Sequence, residues 1–172
     1  MSTLIIRKTL VQLEIKETII LLALSVILPF FLHLAPNWGK LPLAAHLIPL
    51  FYAPFMAVIF CRLHVAIIVA LFSPFLNFLF TGYPVQEKLG MLTLELLLFS
   101  LIAYFISQRF RNFLANAVCA YMLSLFIVSL LKVYKVGFSA MNIFLRTLND
   151  SAAGLAVLLL LNIFLERLIS HK

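Results

Sequence analysis

Residues 73 to 84 read SPFLNFLFTGYP, and they join two apolar runs in the middle of the chain. Prolines, an asparagine and a Thr-Gly pair interrupt the hydrophobic pattern where the core of a soluble protein would not need them. An acidic residue, Glu95, follows inside the next apolar run, and an ionised carboxylate is costly at such a depth in a membrane. Apolar spans, a proline-rich connection and a buried acid together indicate a site within a membrane.

The composition places the chain in lipid. Of its 172 residues 65% are hydrophobic and 11% are charged, and the mean hydropathy is +1.15, which leaves too little polar surface to cover a water-soluble globule. A hydrocarbon core about 30 Å thick needs roughly 20 apolar residues per helix, so at most about six spans fit and no soluble domain remains. The net charge of +7 comes from basic residues placed singly or in pairs between the spans. They are interpreted as topology signals and contacts with anionic lipid rather than as a nucleic-acid surface.

The apolar runs predict an all-α membrane protein, with residues 1–172 forming a single bundle of six transmembrane helices. The predicted spans cover residues 18–34, 44–61, 65–80, 91–107, 113–131 and 149–168. Residues 1–17 mix apolar and charged positions at helical spacing, which predicts an amphipathic lead-in on the cytoplasmic side. Pro49 and Pro54 predict a kink or local unwinding of the second span. A short interfacial or re-entrant helix is expected between Lys132 and Arg146.

Basic residues favour a cytoplasmic N-terminus. With six spans both termini share one side, which then holds eight of the basic residues against five on the other. The cytoplasmic set is Arg7, Lys8, Lys16, Arg62, Arg109, Arg111, Arg167 and Lys172, and the outer set is Lys40, Lys88, Lys132, Lys135 and Arg146. Trp38, the only tryptophan, ends the first span and is predicted to be an interfacial anchor. Cys61 and Cys119 are interpreted as packing thiols.

Helical spacing places small and polar residues on one face of each helix in the central hairpin. These residues are His46, Leu50, Ala53, Ala57 and Cys61 on the second span, and Ala66, Ala70, Ser73 and Asn77 on the third. The alanines predict close packing of the two helices. For His46 and Asn77 two interpretations stay open, a packing hydrogen bond or contact with a ligand.

Glu95 is expected to face the interior, where it must be protonated, paired or in contact with a wet cavity. Its candidate partners are His46, Asn77 and the hydroxyl group of Tyr83, and a purely structural bond between helices is the alternative. Asn149 is expected to open the last span as part of a helix cap, a position that could also contact a ligand. The chain contains no nucleophile elbow, HExxH pair or phosphate-binding glycine loop. Catalysis, a metal site and a cofactor are therefore not predicted.

Three runs carry a resemblance to a known family. HLIPLFYAPFMAVIF (46–60), LFSPFLNFLFTGYP (71–84) and LGMLTLELLLFS (89–100) resemble the substrate-binding S component of energy-coupling factor (ECF) transporters. The matching features are the prolines of the second helix, the Ser-Pro pair of the third, the Thr-Gly-x-Pro loop, and a methionine four residues before Glu95.

The resemblance implies a multi-pass subunit of the bacterial cytoplasmic (inner) membrane that captures a vitamin-like molecule in its outward half. It also implies partners, a transmembrane T component and two ATPase subunits, while the chain itself hydrolyses nothing. Carried over by position, Asn77, Tyr83 and Glu95 would contact the substrate. Trp38, His46 and Asn149 are added to the candidate site by topology alone, completing the set Trp38, His46, Asn77, Tyr83, Glu95 and Asn149.

Two departures from the family pattern affect docking. The first helix has only Ala23 and Ser25 where the family often has an Ala-x-x-x-Ala patch, and the glycines between the second and third helices are absent. The start Met1-Ser2-Thr3 also lacks the N-terminal histidine of the nickel and cobalt branch. The alternative function is a membrane scaffold of the cell-shape machinery of the MreD type, which has a similar layout but binds proteins.

Overall fold

The computed structural model describes residues 2–36, 42–110, 113–136 and 139–170, and structural statements below concern these ranges. Within them the chain is helical and forms no strand. The elements are α1 (Ser2–Leu34), α2 (Leu43–Leu47), a 3₁₀ turn (Pro49–Phe51), α3 (Tyr52–Phe60), α4 (Leu63–Thr81), α5 (Gln86–Arg109), α6 (Asn116–Val136), α7 (Ala140–Asp150) and α8 (Ala152–Ser170).

Four helices in the described ranges are long and apolar enough to cross a membrane. They comprise Gln12–Leu34 within α1, Leu63–Thr81, Gln86–Arg109, and Asn116–Val133 within α6. The α7–α8 pair meets the same condition as a unit but bends by 67°, so the number of spans is five if the pair counts as one. These helices are compatible with a multi-pass membrane protein. The prediction of six spans in a single bundle is not confirmed, because the second predicted span does not form one helix.

The second segment breaks after α2. Ile48 adopts the left-handed conformation, with φ at 44°, which is strained for a β-branched side chain. Pro49 follows and has no N–H to continue the helix. The remaining helical stretch, Pro49–Phe60, rises only about 18 Å at 1.5 Å per residue, well short of a hydrocarbon core of about 30 Å. The predicted kink is therefore a complete break.

The shortened α3 lies at the centre of the protein. Ala53, Phe55 and Ala57 are fully buried, and the face of α4 that carries the predicted small residues, including Ala66 and Ala70, is equally buried. Small side chains let these two backbones approach closely. The predicted packing of the hairpin is confirmed, and α3 is surrounded by α1, α4, α5 and α8.

Two contacts define opposite ends of the structure. At one end Glu14 of α1 pairs with Arg62 at 3.1 Å and with His64 at 3.2 Å, so the tight turn between α3 and α4 lies beside the first half of α1. At the other end the rings of His33 and Tyr83 stack with centroids 4.8 Å apart. These are called below the Glu14 end and the Tyr83 end.

Candidate ligand-binding site

A cavity of about 330 Å³ lies at the Tyr83 end. The second half of α1, the break after α2, the end of α4, the loop that follows it and the first turns of α5 form its walls. The volume is at the lower end of the range for small-molecule sites. Most of the lining is apolar, and its polar or basic side chains within the described ranges are His33, Asn77, Tyr83 and Lys88.

Asn77 owes its position to a proline in α1. Pro29 lacks the N–H that would bond the carbonyl of Ser25 one helical turn earlier. The side-chain amide of Asn77 donates to that carbonyl at 2.6 Å, and the same nitrogen donates to the carbonyl of Ser73 at 2.9 Å. Asn77 thus replaces the bond that Pro29 removes and fastens α4 to α1.

The other end of this amide is free. Asn77 is 1% exposed, and its Oδ1 is buried without a hydrogen-bond partner in the described part of the chain. The amide cannot be turned around, because two backbone carbonyls that only accept hydrogen bonds face its nitrogen. A buried acceptor without a donor costs about 1–3 kcal/mol. Asn77 lines the cavity, so this unsatisfied oxygen belongs to a side chain of the cavity wall.

The Thr-Gly-x-Pro loop brings Tyr83 to the cavity. Gly82 ends α4 in the left-handed conformation, with φ at 73°, and its N–H bonds the carbonyl of Phe78 at 3.0 Å, the usual role of glycine after a helix. Thr81 donates to the carbonyl of Asn77 at 2.7 Å and accepts from the N–H of Tyr83 at 3.2 Å. These bonds tie the loop to the residue that carries the free acceptor. The half-exposed Tyr83 ring lines the cavity beside His33.

Lys88 adds a positive charge to the mouth of the cavity. It is exposed, lies in the first turn of α5 and lines the cavity. It makes no ion pair with any residue that the structure describes. No aspartate or glutamate belongs to the described lining. The charge of Lys88 is therefore not neutralised by an acid in the cavity wall.

His46 does not line the cavity. Its Nδ1 donates to the backbone carbonyl of Asp150 at 2.7 Å, because a carbonyl can only accept. Nearby, the hydroxyl group of Tyr52 donates to the carbonyl of Leu47, and Gly154 packs directly against the backbone of α2. Of the two interpretations left open for His46, the structure displays the packing hydrogen bond, which joins α2 to the junction of α7 and α8.

Glu95 faces the interior as predicted, being 6% exposed, but it does not line the cavity. Of the partners predicted for it, Asn77 bonds Ser25 and Ser73, and Tyr83 stacks on His33. Helix α6, which packs beside α5, carries Lys132 and Tyr121. The hydroxyl group of Tyr121 itself donates to Ser151 at 3.0 Å. The interior face of α5 has two neighbours. Leu92 on this face lines the cavity, whereas Glu95 lies on the part that faces α6.

The last two candidates do not join the cavity either. Asn149 is exposed in the final turn of α7 and outside the lining. The prediction that it caps the last span is wrong, because α7 continues to Asp150 and the chain turns at Ser151 before α8 begins. Trp38 lies outside the described residues.

Of the predicted site residues, Asn77 and Tyr83 line the cavity, and the other residues of its wall, among them His33, Lys88 and Leu92, were missed. Lys88 and Leu92 are spaced at helical intervals before Glu95, and that spacing could have placed them on the same face of α5. His33 could have been found from its position at the end of the first apolar run. No local sequence pattern indicates the link between α1 and α4, since the bonded residues, Ser25 and Asn77, are 52 positions apart.

Comparisons of the chain with protein-family models, curated proteins and solved structures found no match. Two features distinguish the cavity from a packing gap. The Oδ1 of Asn77, a wall residue, is buried without a hydrogen-bond partner in the described ranges, and Lys88 makes no ion pair there.

Proposed function

We propose that this chain is the substrate-binding subunit of an ECF-type uptake transporter and captures a vitamin-like small molecule in the cavity at the Tyr83 end. The observation that carries the proposal is the Oδ1 of Asn77, a buried acceptor with no hydrogen-bond partner among the described residues, on a side chain that lines a cavity of ligand size. The break at Ile48 and Pro49 supports it, because membrane transporters use discontinuous helices to build substrate sites. Irregular backbone at membrane depth is tolerated where it is enclosed by protein or lines a cavity.

The proposal includes a topology. The chain crosses the membrane six times. The segment from α2 to α3 forms the second crossing, which is broken, and α7 leads into α8, which forms the last. Both termini lie in the cytoplasm of a bacterial cell, and the Tyr83 end faces outward across the inner membrane. The chain has no nucleotide-binding motif, so energy comes from a transmembrane T component and two ATPase subunits. The partners are these proteins, the lipid bilayer and the small molecule, with no nucleic acid.

Uptake assays test the division of labour. The purified chain, reconstituted alone in liposomes, should bind its ligand without accumulating it, and accumulation should require the partner subunits and ATP. Mass spectrometry of a molecule retained through purification identifies the ligand. Concentrative uptake by the isolated chain would contradict the proposal. Co-purification of cell-wall elongation proteins in place of ATPase subunits would favour the MreD-type scaffold.

Labelling of the two ends of α5 tests the topology. Lys88 and Arg109 are both exposed, and each is replaced in turn by a single cysteine. Cys61 and Cys119 are replaced by alanine beforehand, so that only the introduced cysteine can react. The cysteine at position 88 should react with an impermeant maleimide added outside intact cells. The cysteine at position 109 should react only after permeabilisation. The reverse labelling pattern would overturn the orientation.

A further inference from the structure

We infer that the cavity at the Tyr83 end selects a compact, mostly apolar acid that donates one N–H or O–H group to Oδ1 of Asn77 and places its anionic group near Lys88. This inference rests on the proposed binding role and specifies the chemistry of the ligand. Three properties of the wall lead to it: the free acceptor, the sign of the charge and the apolar surface between them.

The free acceptor requires a donor. Both hydrogens of the Asn77 amide are directed at the carbonyls of Ser25 and Ser73, so this side chain offers only its oxygen to the cavity. A ligand that brings an N–H or O–H group restores the missing bond and removes the desolvation penalty of the oxygen. A ligand that brings another acceptor, or a methyl group, leaves the oxygen unsatisfied. Asn77 therefore discriminates between ligands that differ in one hydrogen-bond donor.

The charged residues of the cavity wall determine the sign of the charge expected on the ligand. Lys88 and His33 are the basic residues of the described lining, and it contains no acid. Lys88 lies in the first turn of a long helix, where the helix dipole also favours negative charge. Glu87, the neighbouring residue, is exposed and does not belong to the lining. An anionic group at the mouth meets a cation there, while a cationic group meets repulsion from Lys88.

The remaining wall favours a compact apolar body. Pro29, Ile48, Phe51 and Leu92 line the cavity between its polar groups. The volume of about 330 Å³ excludes large polar cofactors such as dinucleotides. Apolar surface buried here contributes about 25 cal/mol per Å², so affinity comes from the body of the ligand and selectivity from its two polar groups.

Four matched probes test the inference with the full-length chain in detergent. Indole-3-acetate carries both polar groups, 1-methylindole-3-acetate lacks the donor, 3-methylindole lacks the acid, and 1,3-dimethylindole lacks both. Isothermal titration should give the tightest binding for indole-3-acetate. Loss of the donor should weaken binding by at least about fivefold, since one net hydrogen bond is worth about 1 kcal/mol. Loss of the acid should weaken it by a smaller factor that shrinks as salt is added, because Lys88 is exposed.

Two asparagines provide matched variants. Asn116 is also 1% exposed, donates to a backbone carbonyl, that of Ala103, at 3.1 Å, and has an unsatisfied Oδ1, but it does not line the cavity. The Asn77→Leu protein should lose the preference for the N–H probe, and the Asn116→Leu protein should keep it. Lys88→Gln changes an exposed residue and should remove only the preference for the acid. The comparison of probes on the unaltered chain does not depend on whether any variant folds.

Failure of this inference differs from failure of the proposed function. Equal affinity of the N–H and N-methyl probes for the unaltered chain, or no binding of any probe at millimolar concentration, would overturn the inference. A retained native ligand without a donor, bound equally by the Asn77→Leu protein, would overturn it while leaving a binding role intact. The expected probe preferences without any partner-dependent uptake would support the inference and contradict the transport function.

Discussion

The contact between Gly154 and α2 yields the sharpest expectation about stability. A Cβ atom at position 154 would lie 2.5 Å from Cγ1 of Ile48 and 2.7 Å from both the carbonyl oxygen of His46 and the carbonyl carbon of Leu47. Two of these three atoms belong to the backbone, so a side-chain rotation cannot relieve the overlap. For Gly154→Ala, overpacking should cost about 1–3 kcal/mol, and the better helix propensity of alanine recovers up to about 1 kcal/mol. Because backbone atoms form two of the three overlaps, the overpacking cost lies near the upper end of its range, and the net loss should be about 2 kcal/mol.

Thermal denaturation in a fixed detergent measures this loss. At about 2–4 °C per kcal/mol for a chain of this size, the Tm of the Gly154→Ala protein should fall by about 4–8 °C. Gly90→Ala is the control, because Gly90 is also helical and a Cβ there meets nothing within 4 Å. Its Tm should stay constant or rise. The Gly154→Ala protein should also bind indole-3-acetate more weakly, since displacing α2 moves the wall formed by Ala44, Ala45 and Ile48. Equal Tm values for the two variants would refute the close approach of α2 to α8.

Two further predictions concern acidic residues. Glu95→Gln should change the affinity for indole-3-acetate by less than about twofold, which is below the effect of one hydrogen bond, because Glu95 is outside the cavity lining; a tenfold loss measured by titration would return Glu95 to the site. Glu14→Gln should lower the free energy of unfolding by no more than about 1 kcal/mol, the value of an exposed ion pair, since the side chain of its partner Arg62 is 68% exposed. A loss of unfolding free energy well above about 1 kcal/mol in the denaturation experiment would contradict the assignment of this contact as an exposed ion pair.

Uninterrupted apolar runs allowed the sequence to predict most of the long helices. The predicted spans 65–80 and 91–107 fall within α4 and α5, and the span 18–34 falls within α1. The span 113–131 begins three residues before α6 and otherwise lies inside it. The short helix expected between Lys132 and Arg146 overlaps α7. The second and last segments deviate because their ends depend on tertiary contacts. Ile48 is held in its strained conformation beside Gly154, and the bend at Ser151 coincides with its bond to Tyr121.

The candidate site was predicted in part for a related reason. Helical spacing correctly placed Asn77 on an interior face, and the cost of a carboxylate facing lipid correctly placed Glu95 in the interior. Neither argument determined which neighbour each side chain would meet. Asn77 meets α1 because Pro29 leaves a carbonyl open, and Glu95 meets α6 rather than the cavity. Both outcomes depend on contacts between distant parts of the chain.

The burial of α3 has a consequence for biogenesis. This helix is too short to cross a hydrocarbon core by itself, and it is enclosed by α1, α4, α5 and α8, three of which are synthesised after it. While the chain emerges from the ribosome, only α1 is available to cover α3, until α4 follows and completes the hairpin. We expect α3 and α4 to enter the membrane together, joined by the tight turn at Arg62. Substitutions that weaken their contact, such as bulky residues at Ala57 or Ala66, would then act on insertion before they act on the finished protein.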